Sequence, residues 1–291
     1  MRVPTVLSIA GSDSGGGAGI QADLKAIARC GAHGMTAITA LTCQNTVEVR
    51  AVFPVPPEII LGQVRAVADD LGVDAVKVGM LGSAGATAAV AQALRELPGG
   101  TPVVVDPVMV AESGGRLLDR DAEQALRELI LPLATVVTPN VAESRVLAGA
   151  SEDAPLEDVA ARILALGARS VIITGGHREE ATDLLFRRAG EPPVEIPGER
   201  HPDGAAHGSG CTQSSALAAH LALGLSLEDA ARAARAVAGD AVRDGLRGLG
   251  EGAGPVDVFG LARRAAGDGA GPAAGVTGQA GSGAAAPAVP G

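Results

Sequence analysis

Three stretches of this chain pair chemically active residue types with spacings that would present them together. The first, AGSDSGGGAGIQADLKA (Ala10–Ala26), is a glycine-rich loop set between a strand and a helix. Its glycines let backbone approach a ligand closely, and the following helix offers free N–H groups. Gly17, Gly19 and Ala22 fit the looser G-x-G-x-x-A dinucleotide form, yet Thr39–Cys43 holds no acidic residue and no Walker lysine follows the loop. Asp23, near the helix start, is either a dipole partner or a carboxylate reaching back to grip a polar substrate. The second stretch, HGSGCTQSSALAAHLALG (His207–Gly224), opens a helix with small residues. Consecutive amides of Gly208, Ser209, Gly210 and Cys211 would form a nest for an anion that develops charge during reaction. A thiol at such a terminus is expected below its free pKa of about 8.5. The third, TPNVAES (Thr138–Ser144), holds Asn140 as an N-cap with Glu143 as its capping-box partner. A carboxylate there could also hold a nucleotide-bound Mg²⁺ through water. Asp106, closing VVVDPVM, is ambiguous in the same way.

Each stretch taken alone has a plain structural explanation: a flexible turn, a packed helix start, a cap. What joins them is the framework that must carry them. Val6–Ala10, Ala37–Leu41, Ala75–Val78, Val103–Val105, Val136–Thr138 and Val171–Thr174 read as short buried strands bounded by Gly, Pro or Asp. Helical periods lie between them: Ile60, Val64, Val67 and Leu71; Val90, Leu94 and Leu97; Val159, Ile163 and Leu166. Two helices then follow in succession, one from about Ser209 to Gly224 and one capped by Ser226 that runs through Val242. This alternation predicts an α/β fold, a mostly parallel sheet covered by helices on both faces. The three stretches and Asp106 would then gather at the C-terminal ends of its strands, where open α/β sheets bind ligands.

Composition narrows the chemistry. The chain has 291 residues, 47% of them apolar but only 1% aromatic, and a formal charge of -10. Few flat rings and a net negative charge argue against nucleic-acid binding. Cys30, Cys43 and Cys211 have no CxxC spacing, so reduced thiols and a cytoplasmic setting are expected. No transmembrane stretch and no signal peptide is read, so no membrane partner is expected. From residue 265 to 291, 21 of 27 residues are Ala, Gly or Pro, which predicts a disordered tail. The expected division is a main α/β domain over 1–250, an extension over 251–264 and that tail.

Taken together, the stretches resemble the hydroxymethylpyrimidine and phosphomethylpyrimidine kinases of thiamine biosynthesis. The glycine-rich loop, TALTCQNT (Thr39–Thr46), VKVGMLG (Val76–Gly82), DPVMVAESGGRLL (Asp106–Leu118), TPNVAE, TGGH (Thr174–His177) and HGSGCT come in that family's order. The resemblance implies a ribokinase-like fold and two successive ATP-dependent phosphorylations, of the hydroxymethyl alcohol and then of its monophosphate. It implies that Gln44 hydrogen-bonds the aminopyrimidine, since an amide both donates and accepts. Gly11, Ala18, Asp23, Met80 and Val108 would line the same pocket. Asn140, Glu143, Asp106, Thr174 and Lys77 would face MgATP, with the metal reached from Glu143 through water. Cys211 stands where sugar kinases of this fold class carry an aspartate base. The amides of residues 208–211 are assigned to charge stabilisation, and the thiol's proton role is left open. Thr174 replaces a lysine common in relatives, with Lys77 as the candidate substitute charge, and Ala205 and Ala206 replace more polar residues. A pyridoxine or pyridoxal kinase, whose acceptor is also a hydroxymethyl group on a nitrogen heterocycle, is the alternative within the fold. A pyrimidine-binding regulator is the alternative outside enzymes. A homodimer is compatible with this reading.

Overall fold

The computed structural model describes residues 2–109, 120–175, 181–202 and 204–266. Among the described residues, nine strands form one sheet: β1 (Thr5–Ser12), β2 (His33–Gln44), β3 (Val49–Pro54), β4 (Ala75–Val78), β5 (Val103–Val105), β6 (Val136–Val137), β7 (Val171–Ile173), β8 (Asp183–Phe186) and β9 (Val194–Ile196). Their order is β3-β2-β1-β4-β5-β6-β7-β8-β9. The six from β2 to β7 in that order run parallel, while β3, β8 and β9 pair antiparallel at the two edges.

Helices cover both faces, as the alternating pattern requires. One face carries α2 (Pro57–Asp70), α3 (Ala84–Glu96), α4 (Arg120–Ala125, continued by wider turns over Leu126–Ile130), α5 (Val141–Ala148) and α6 (Leu156–Ala165). The other carries α1 (Gly19–Arg29), α7 (Ser209–Ala222) and α8 (Leu227–Arg243), and a short α9 (Leu261–Ala265) closes the described chain. Successive strand residues point to opposite faces. Leu7, Ile9, Val76, Val78, Val103 and Val105 therefore pack under α2 to α6, and Val6, Ala75 and Val104 pack under α1, α7 and α8. The few aromatics leave this core to branched aliphatics and alanine; each fully buried Leu or Ile contributes about 1.5–3 kcal/mol. On the α7 side the alternation changes character near the strand ends, where Ser8, Lys77 and Asp106 occupy positions that Val6, Ala75 and Val104 hold two residues earlier.

All six strands read from the sequence are present, with β1 and β2 longer than their apolar runs. Edge strands β3, β8 and β9 are additional. Nearly every residue of β3 is exposed, so it lacks an apolar signature, and β9 is three residues long. Beyond residue 250 the chain packs back on the body: Val256 and Val258 are buried against Ala241, and Pro255 bridges to His207. Gly176 and His177, all of AESGGRLL, and all but the first two residues of the Ala/Gly/Pro-rich segment lie outside the described residues.

Candidate active site

The strand order arranges the site. Taken across the sheet, the C-terminal ends of the parallel strands present Gln44 on β2, Gly11 on β1, Met80 after β4, Asp106 after β5, Asn140 after β6 and Thr174 after β7. All of them line one cavity of about 400 Å³, together with Ala18, Val108, Glu143, Lys77 and Gly208–Cys211. The residues expected to hold the pyrimidine thus lie mainly at the β2-β1-β4 half, and those expected to face nucleotide, Lys77 on β4 excepted, at the β5-β6-β7 half. Met80 is buried, with its sulfur where a Cβ on Gly11 would approach to 3.1 Å, so Gly11 leaves room for it. Gln44 is half-buried at the end of its strand. Its Oε1 accepts from the Thr42 hydroxyl at 3.2 Å and its backbone N–H donates to Ser14 at 2.8 Å.

Asp13, which the motif reading passed over, organises the glycine-rich loop. Its carboxylate accepts the N–H groups of Gly15 (2.8 Å), Gly17 (3.0 Å) and Ala18 (2.8 Å), and His207 Nε2 lies 3.3 Å away. Burial would raise this carboxyl, but the bond to His207 and the amides of Ala18 and Gly15 hold it below the usual range. The loop and the segment before α7 fit closely. A Cβ on Gly17 would meet His207 at 2.3 Å, and one on Gly208, whose φ is +85°, would meet the Gly17 carbonyl at 1.8 Å. The C-terminal segment completes this corner, since Val256 N–H donates to His207 O at 3.1 Å and Gly252 N–H to Thr46 at 3.3 Å. Ala205 is buried against Gly245, so a small side chain is required there.

Helix α7 begins at the cavity. The Ser209 amide is taken by Ala206 O at 2.9 Å, and Thr212 N–H starts the helical ladder on Gly208 O. First-turn amides have no intrahelical acceptor, so those of Gly210 and Cys211 are the ones offered to an anion, fewer than the run of four the sequence suggests. Cys211 departs from expectation. Burial pushes its thiol up to about 12; Lys77 opposes this, Asp23 and Asp106 add to it, and a hydrogen bond from the Gly19 amide opposes it again. The helix terminus is too weak to offset that burial, so the thiol stays protonated at neutral pH.

Asp23 does not line the cavity. It lies beneath it, fully buried, accepting from Ser8 (2.6 Å), Ser215 (2.8 Å) and Lys77 (2.9 and 3.1 Å). Lys77 lies in the cavity wall yet is itself fully buried, 3.9 Å from Asp106. Burial draws its ammonium down, but the attraction of Asp23 first, and of the Asp106 side after it, holds it above the usual lysine range. Burial raises Asp106, opposed by Lys77 and by the Ser214 hydroxyl at 3.0 Å. Glu143 closes the capping box with Asn140 (2.9 Å in both directions) and is pushed up to about 8 by burial and then by the charge of Asp106. Thr174, bridged to Asn140, brings no charge to this half. A buried cation the sequence reading missed is Arg235 of α8, in the cavity wall, with one N–H on Ala181 O at 2.8 Å and its Nε 3.6 Å from Asp183. An arginine on the stripe Ala230, Ala231, Ala234, Ala238, Ala241 was the available signal. Gln213, on α7, hydrogen-bonds Asp183 in the same wall.

The family model described as phosphomethylpyrimidine kinase matches residues 13–257. The chain is 48% identical over 259 residues to a hydroxymethylpyrimidine/phosphomethylpyrimidine kinase of Rhizobium meliloti, covering 87% of this chain and 96% of that one. Among solved structures, it is similar to an ADP complex of Bacillus subtilis pyridoxal kinase (38% identity, TM-score 0.79, covering 90% of this chain and 99% of that one). It is also similar to a phosphomethylpyrimidine kinase from Clostridium difficile (37% identity, TM-score 0.70, 81% and 97%). Among the described residues, no helix is long and apolar enough to cross a membrane.

Proposed function

The chain belongs to the phosphomethylpyrimidine kinase family, and from that premise we propose how its cavity phosphorylates 4-amino-5-hydroxymethyl-2-methylpyrimidine to the monophosphate and then the diphosphate with ATP, in thiamine biosynthesis. The observation that carries the reading is the meeting, in one cavity, of the Gln44–Met80 half, the first-turn amides of α7 and the Asp106–Glu143 half. Gln44, oriented by Thr42, takes the aminopyrimidine edge; Gly11 and Ala18 let backbone close on it, and Met80 and Val108 hold its faces. The hydroxymethyl oxygen then faces the N-terminus of α7. The Gly210 and Cys211 amides stabilise charge on the transferring phosphoryl group, which needs positioning and charge stabilisation more than a base. In the second phosphorylation the attacking oxygen is already ionised, so no proton has to leave.

Asp106 and Glu143 suit a hard divalent cation, because burial raises both carboxyls, the charge of Asp106 raises Glu143 further, and such an ion relieves that cost. They are the residues that would hold Mg²⁺, Glu143 through water, and the ion would neutralise charge on the phosphates. Arg235, Thr174 and Asn140 line the nucleotide half. A kinase body over 1–250 with an extension over 251–264 that packs back on it, a cytoplasmic location and a homodimer complete the reading. The likeness to pyridoxal kinase supports a second acceptor, pyridoxine or pyridoxal. ADP release measured with the hydroxymethylpyrimidine, its monophosphate, pyridoxal and no acceptor tests both. Turnover above background on the first two supports the main reading, and turnover on pyridoxal alone would replace it.

A further inference from the structure

Two ionisable side chains, Lys77 in the cavity wall and Asp23 beneath it, take no part in the chemistry above. Asp23 and Lys77 are wholly enclosed, and both have left water to meet each other. A buried ion pair adds little to stability compared with well-packed apolar side chains, so its presence calls for another explanation. The partners of the pair supply one. Asp23 also accepts from Ser215 at 2.8 Å, and Asp106, 3.9 Å from the Lys77 ammonium, accepts from Ser214 at 3.0 Å. Ser214 and Ser215 are adjacent residues of α7, one turn beyond Cys211. Two elements thus hold the start of α7, through Asp23 on α1 and Asp106 after β5, and Lys77 on β4 ties those two carboxylates together. The chain also keeps space for the ammonium, since a Cβ on Gly79 would stand 2.7 Å from its nitrogen and 3.0 Å from Ala10.

We propose that Lys77 is a positioning residue for phosphoryl transfer: clamped by Asp23, it fixes Asp106 and, through Ser214 and Ser215, aims the first-turn amides of α7 at the transferring group. This rests on the cavity being the kinase site. A lysine that only balanced Asp23 would matter to folding and to nothing else. A lysine that aims α7 matters to turnover even when Asp23 no longer needs a counter-charge.

The test compares the wild-type protein with Lys77→Met and with Lys77→Met/Asp23→Asn. The single variant leaves Asp23 charged and unpaired, and its melting temperature should fall. The double variant removes both charges at similar volume, and its melting temperature should return to within a few degrees of wild type. Its kcat for the hydroxymethylpyrimidine should nevertheless stay down by roughly 10²-fold, the cost of a small misplacement, with the KM of both substrates changed by less than about threefold. Recovery of kcat together with melting temperature would overturn the proposal. Ser214→Ala and Ser215→Ala supply a second measurement should the double variant not fold. At least one should lower kcat without a matching rise in KM, and normal kcat in both would also overturn it. Absence of wild-type turnover on every acceptor would instead sink the kinase reading, and the proposal with it.

Discussion

Replacing Cys211 by serine separates two accounts of the first phosphorylation. The thiol stands where it could take the proton from the substrate alcohol, and a general base there would contribute about 10²–10⁴ in rate, or roughly 3–5 kcal/mol. With its pKa pushed up to about 12, however, only about one molecule in 10⁵ carries the thiolate at pH 7, and ionising the rest costs about 7 kcal/mol. That cost exceeds what the base would return, so the thiol is a poor base in this setting. The amide of Cys211 belongs to the backbone and survives the change, and a serine hydroxyl can still accept the hydrogen bond from Gly19. Cys211→Ser should therefore keep both phosphorylations within about tenfold of wild type, with similar pH profiles. Each step can be followed by ADP release, supplying either the alcohol or the monophosphate, with the melting temperature as a folding control. A fall of 10²–10⁴ confined to the alcohol would refute the reasoning, because only the alcohol has a proton to lose.

Gln44→Ala should raise the pyrimidine KM about ten- to a hundredfold and leave the ATP KM nearly unchanged, from loss of a paired hydrogen bond worth about 1–3 kcal/mol; equal loss on both substrates would count against the assigned pocket. Gly175→Ala places a Cβ 2.0 Å from the Thr182 carbonyl, a backbone atom that cannot swing away, so about 1–3 kcal/mol of stability should be lost in denaturant titration. Asp13 has a lowered folded pKa, so its stabilisation is fully present above the unfolded value of 3.8 and is lost as pH falls through the folded one. Asp13→Asn should accordingly be less stable than wild type at pH 7, with the gap closing in the acid range below pH 3.8. A gap that stays constant down the acid limb would show that the carboxylate charge is not what holds the loop.

Much of this fold is legible because parallel strands buried on both faces write continuous Val and Ile runs, as in Val103–Val105 and Val171–Ile173. β3 escaped because its residues face solvent, where packing imposes no pattern. The cavity-lining glycines, Gln44 and the start of α7 could be read from local motifs, since each sits on its own loop. What could not be read is depth. Asp23 has the same letter whether it points into a pocket or under it, and only the packing of α1 against α7 puts it below. Lys77 reads as a free cation, and only the fold shows that in the cavity wall it is wholly buried and paired with Asp23. The raised thiol of Cys211 has the same origin, because the helix terminus is local and visible whereas burial is set by the whole fold. His207 and Asp13 are 194 residues apart, and no spacing rule connects them.

That separation has a consequence for synthesis. β1, made first, sits inside the sheet with β4 on one side and β2 on the other, so the glycine-rich loop at its end emerges early. The pieces that brace this loop, His207 and the Gly252–Val256 segment, leave the ribosome about 200 residues or more after it. Contacts so distant along the chain close slowly, because loop entropy must be overcome before they form. A chain halted before residue 250 can therefore have its sheet largely laid down while the corner of the cavity stays open, and catalytic competence should arrive only with the final few dozen residues of the domain.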